Sequence, residues 1–132
     1  MARILILEDS ADLRSMLQAR LEIEGFEVAA ASSGADALRL MARAPAEVIL
    51  TDLFMPDKDG LETIVEMRAR YPNTAIVAMS GWQSSQGVDY LKVARDIGAA
   101  HAVRKPFRLA EVVRIVRQLV SGAGGSRGTA SA

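Results

Sequence analysis

The chain has 132 residues, room for one domain that buries its own core, and its 50% hydrophobic and 24% charged residues give a globular balance rather than a disordered one. Sixteen basic residues offset sixteen acidic ones, which removes the electrostatic footprint of a nucleic-acid or membrane-surface module. The absence of cysteine excludes disulfides, thiolate nucleophiles and cysteine-based zinc sites, and the single histidine, His101, excludes a histidine cluster.

The first element is the apolar run Ile4-Leu5-Ile6-Leu7, which reads as a strand buried on both faces. Two acids follow it directly, so the start is too short for a signal peptide or a membrane span, and a cytoplasmic domain is expected. Leu13, Met16, Leu17 and Leu21 then mark one face of a helix that Gly25 ends. Residues 26–31 read as a second strand, and residues 35–44 as a helix stopped by Pro45.

A third strand, 48–51, runs into Asp52 and a turn-rich loop, Met55-Pro56-Asp57-Lys58-Asp59-Gly60, which opens a helix carrying Leu61, Ile64 and Val65. Residues 75–79 form a fourth strand ending at Ser80-Gly81. A polar loop, 82–87, leads to a helix over 88–97 capped by Gly98. A short fifth strand, 100–104, precedes Lys105-Pro106, and Leu109, Val112, Val113, Val116, Leu119 and Val120 stripe the last helix. The methionines Met16, Met41, Met67 and Met79 read as core filler. Residues 1–120 make the domain, and the Gly/Ser/Ala-rich residues 121–132 read as a flexible tail or linker.

Five strand–helix units in alternation predict an α/β fold, a five-stranded parallel sheet with helices on both faces and the flavodoxin-like order 2-1-3-4-5. Ligands of such sheets bind at the carboxyl ends of the strands. There the sequence places Glu8 and Asp9, then Asp52, Ser80 and Lys105. Three carboxylates in one crevice raise one another's pKa unless a cation relieves them, and an all-oxygen set favours Mg²⁺, or Mn²⁺, over zinc. With the cation on Asp9 and Asp52, a phosphoryl donor could present its oxygens to it, to Lys105 and to the Ser80 hydroxyl. Asp52 is then the natural nucleophile, giving an acyl phosphate. Each of these residues taken alone reads as a solvated acid or a turn residue. The set of five carries the chemistry.

Glu8-Asp9, Asp52 with Met55-Pro56 and Asp59-Gly60, Ser80, and Lys105-Pro106-Phe107 resemble the receiver domain of two-component response regulators over roughly residues 3–120. The resemblance implies that a histidine kinase or phosphotransfer protein phosphorylates Asp52. It implies that Asp9, Asp52 and the backbone carbonyl of Phe54 ligate Mg²⁺, with Glu8 acting through water. Ser80 and Lys105 would bind the phosphoryl group, the Lys105-Pro106 bond would be cis, and output would pass to a protein through the face from the fourth strand to the last helix, where Arg104, Arg108, Arg114 and Arg117 lie. Such a domain is a phosphoacceptor rather than a turnover enzyme, with no direct contact to nucleic acid or membrane.

The family usually carries an aromatic switch residue three positions before the lysine, and this chain has Ala102 there. Strand alternation turns His101 to the opposite face, so it is no substitute. Phe54 and Trp82, two residues beyond Asp52 and Ser80, could cover an acyl phosphate and slow its hydrolysis. The alternative is an atypical receiver acting mainly as an interaction module. A haloacid-dehalogenase-type phosphatase would want an aspartate where Phe54 stands, a flavin carrier would not place two acids after its first strand, and no P-loop is present.

Overall fold

The structure, a computed structural model, describes residues 2–53, 60–81 and 89–126. Runs of branched apolar residues too short for helices form the strands β1 (Arg3–Leu7), β2 (Glu27–Ala31), β3 (Val48–Asp52), β4 (Ala75–Ser80) and β5 (His101–Arg104). Between and after them lie α1 (Ala11–Ile23), α2 (Gly34–Arg43), α3 (Gly60–Arg70), α4 (Tyr90–Asp96) and α5 (Leu109–Ser126). The strands pair in parallel in the order β2-β1-β3-β4-β5. This is the doubly wound arrangement that the alternation of elements predicts, and its strand order reverses between β1 and β3.

Strand alternation divides the core into two layers. Ile4, Ile6, Val48, Leu50, Val77 and Met79 face Leu17 and Leu21 of α1 and Val112 and Val116 of α5. Leu5, Leu7, Ile49, Ile76 and Ala78 face Met41 of α2, Ile64 and Met67 of α3, and Leu91 of α4. β3 is buried along its whole length because it has neighbours on both edges and helices on both faces. Ser10, Ser33 and Asp89 cap α1, α2 and α4 by accepting from backbone N–H groups of the first turn. Gly25 and Gly98 leave α1 and α4 at φ of 99° and 125°, a backbone that residues with a Cβ rarely adopt.

Two expectations are corrected. Met16 is 53% exposed and is not core filler, whereas Met41, Met67 and Met79 are buried. The buried stripe of α1 advances in four-residue steps from Leu13 to Leu17 to Leu21, and each step rotates it further from Met16. The last helix also runs to Ser126, past the boundary at residue 120 expected for the tail. Once its apolar stripe has seated α5, each further residue adds a backbone hydrogen bond without a new nucleus, so the glycines do not end it at once.

Arg117 fastens α5 to the turn after α1. Its guanidinium donates to Glu24 Oε1 at 2.6 Å and to the Glu24 carbonyl at 3.2 Å, and lies 5.3 Å from the centroid of the Phe26 ring. The bond from Arg117, and then that from Arg20, hold the Glu24 carboxyl below its ordinary range. A depressed carboxylate stabilises the fold above its unfolded pKa, and that contribution fades as pH falls through the depressed value. Glu24→Gln should therefore lower the thermal midpoint modestly near neutral pH, with the gap to the native chain closing as the pH drops below the ordinary carboxylate range. Thermal melts across acidic to neutral pH check both halves.

Candidate functional site

The reversal of strand order opens a crevice at the carboxyl ends of β1 and β3, and the sequence puts acids on both sides of it. Glu8 and Asp9 follow β1, and Asp52 ends β3. Their carboxylates each bring an oxygen within 4.8 Å of the others. Glu8 and Asp52 are buried, whereas Asp9 is exposed to solvent. Ser80, at the end of β4, is also buried, and Lys105 follows β5.

Lys105 is the counter-charge. Its Nζ stands 3.1 Å from Glu8 Oε1 and 3.6 Å from Asp52 Oδ2, bridging the acids of β1 and β3 from the far end of the sheet. The other Glu8 oxygen accepts from the backbone N–H of Ser10 at 3.1 Å, so both oxygens of this buried carboxylate are satisfied. The Lys105 N–H donates to the Ser80 carbonyl at 3.1 Å, tying the ends of β4 and β5 together, and the Lys105-Pro106 peptide is cis.

Ala102 sits beside Ala78 in the sheet, on the face packed by α2, α3 and α4, while His101 lies in register with Val77. Of the four arginines of the candidate output face, Arg104 pairs with Asp89 at 3.8 Å and Arg117 holds Glu24. Phe54, Met55, Pro56, Asp57, Asp59 and Trp82 lie outside the described residues.

Two residues of the crevice are not apparent from the sequence pattern. A Cβ on Gly81 would lie 3.3 Å from both Cβ and the carbonyl oxygen of Lys105, so a glycine lets the two strand ends approach. Arg14 Nη1 donates to the carbonyls of Glu8 at 2.8 Å and Asp9 at 3.5 Å. Its signal was its place one turn after the capping Ser10, which an apolar-face reading passes over.

The model of the response regulator receiver domain matches residues 4–117. The chain belongs to that family. It is 35% identical over 116 residues to the regulatory protein AtoC of Escherichia coli, covering 88% of this chain and 24% of that protein. To the transcriptional regulatory protein PrrA of Mycobacterium bovis it is 33% identical over 129 residues, covering 98% of this chain and 54% of the relative. The receiver domain thus spans about a quarter to a half of these curated relatives. The crystal structure of the Vibrio cholerae chemotaxis protein CheY4 matches with a TM-score of 0.81 and 27% identity, over 90% of this chain and 98% of that one. Among the described residues no helix is long and apolar enough to cross a membrane.

Among the described residues the crevice crowds three carboxylates, and the Lys105 ammonium reaches two of them, an arrangement in which like charges oppose one another. Asp52→Asn should therefore stabilise the chain in chelating buffer by about 1–2 kcal/mol, because it removes one of the crowded charges while Lys105 keeps Glu8. Chemical denaturation of both proteins in EDTA measures the difference.

Proposed function

We propose that this receiver domain is a Mg²⁺-dependent phosphoryl acceptor, with Asp52 taking the phosphoryl group from the phosphohistidine of a histidine kinase or phosphotransfer protein. The observation that carries the reading is the convergence of Glu8, Asp9 and Asp52 on one crevice with Lys105 reaching across it. The donor set fits a hard divalent cation: all-oxygen, anionic, partly open to water at Asp9. Asp9 and Asp52 would hold the ion directly with the Phe54 carbonyl, and Glu8 through water. When bound, Mg²⁺ (or Mn²⁺) supplies charge neutralisation for the phosphoryl oxygens.

The chain's own groups do the rest. A carboxylate oxygen of Asp52 attacks phosphorus, an O–P bond forms, the P–N bond breaks, and the imidazole leaves with the bonding electrons. Lys105 exchanges a carboxylate for a phosphoryl oxygen, and the Ser80 hydroxyl donates to another. The domain acts as a phosphoacceptor that assists its own modification, and its output passes to a protein partner through the face from β4 to α5.

A second reading is favoured by one observation, the small side chain at Ala102. With no large side chain at position 102 to move behind Ser80, phosphorylation would bias the output face weakly or by another route, and the domain would act chiefly as an interaction module. Trp82, the one tryptophan of the chain, stands two residues from Ser80 and reports on that route by fluorescence.

Incubation with acetyl phosphate should give a Mg²⁺-dependent, acid-stable and base-labile modification, absent with EDTA or in Asp52→Asn. Lys105→Met should slow its formation by about 100-fold. Decay of the phosphorylated chain tests the covering role of Phe54 and Trp82: smaller polar side chains at both positions should shorten its lifetime. Absence of any modification in a folded chain would leave the interaction-module reading standing.

A further inference from the structure

The three acids of the crevice are held in different ways. Glu8 is buried and bonded at both oxygens, by Lys105 and by the Ser10 N–H. Asp52 is buried at the end of the central strand β3. Asp9 is exposed and lies between β1 and α1, outside any regular element. Neither packing nor a strand ladder therefore sets the direction of its side chain.

The main chain on either side of Asp9 does have a holder. A residue's φ and ψ are fixed once the two peptide planes flanking its Cα are fixed. The Glu8 carbonyl belongs to the plane before Asp9, and the Asp9 carbonyl to the plane after it. Both accept from the same atom, Nη1 of Arg14, at 2.8 and 3.5 Å. Arg14 is itself half-buried and seated in the first turns of α1, where its backbone N–H donates to the Ser10 carbonyl at 2.9 Å. The guanidinium, planted on a helix, thus closes through one nitrogen on the loop that carries the acid.

We propose that Arg14 is a positioning residue of the metal site, locking the backbone on both sides of Asp9 so that its carboxylate is presented to a divalent cation. The proposal rests on the Mg²⁺ reading above and adds a residue to it. Arg14 acts against its own charge in this role. A guanidinium near an acidic crevice repels an incoming cation, so its removal would tighten metal binding if charge were its only influence. If the clamp dominates, removal weakens binding, because an unheld Asp9 must be ordered by the metal itself. The sign of the effect separates the two.

The test is Mg²⁺ titration by calorimetry and Mn²⁺ titration by electron paramagnetic resonance, on the full chain and on Arg14→Ala and Arg14→Lys. Thermal melts in EDTA report on the fold of each. Arg14→Ala should bind both ions about tenfold more weakly, and Arg14→Lys, which keeps the charge but ends one atom short of Nη1, should fall between it and the native chain. At saturating Mg²⁺, phosphorylation of Arg14→Ala by acetyl phosphate should return to near the native rate, the behaviour of a residue that orients a ligand rather than touching the donor. Unchanged or tighter binding in Arg14→Ala overturns the proposal. Should that variant not fold, Arg14→Lys decides alone: its charge is unaltered, so weaker binding supports the clamp and native affinity overturns it. Failure of the native chain to bind either ion would instead overturn the metal-site reading on which the clamp depends.

Discussion

Mutual repulsion among the carboxylates of Glu8, Asp9 and Asp52 is the constraint around which the functional end of this domain is arranged. Three acids with oxygens within 4.8 Å of one another, two of them buried, cannot be left to water screening alone. Lys105 relieves part of the strain from 97 residues beyond Glu8. The Ser10 N–H relieves another part, and Arg14 steadies the loop that holds the third acid. What is left among the described residues is a crowding of negative charge that a bound cation would offset.

The sheet makes this possible by delivering each group from a different strand to one edge. Parallel strands all present their carboxyl ends on the same side, and the strand order reverses between β1 and β3, where such sheets open a crevice. β3 is buried throughout, so Asp52 is presented from a strand packed along its whole length. Ser80 and Lys105 are tied to each other through the backbone, and Gly81 leaves room for that approach. Arg104, next to Lys105 and in register with Ser80, continues the connection to the capping Asp89 of α4. The result is a polar link from the ends of β4 and β5 to the capping residue of α4.

Much of this was legible in the residues. Short apolar runs, helical stripes and punctuating glycines gave the ten elements within a few residues, because period and length are local properties. The acids, the serine and the lysine could be named because all five stand at predicted strand ends, where an α/β sheet builds its sites. Where the local reading failed, the cause was three-dimensional. Met16 has the spacing of a core residue but lies on the open side of a narrow stripe, and only the packing of α1 on the sheet reveals which side that is. The glycine-rich residues after 120 look like linker, yet α5 carries on to Ser126 on the strength of a helix already seated.

The sequence by itself therefore determined the fold class, the order of elements and the identity of the groups at the strand ends, since all of these follow from composition and period along the chain. Only the tertiary structure decided which of those groups meet and on what terms. That Lys105 takes Glu8 as its nearer partner, that Glu8 is buried while its neighbour Asp9 is exposed, and that Arg14 closes on two backbone carbonyls are outcomes of distance and direction between elements far apart in the chain. Side-chain type is written along one dimension. The balance of charge in a crevice is settled by packing in three.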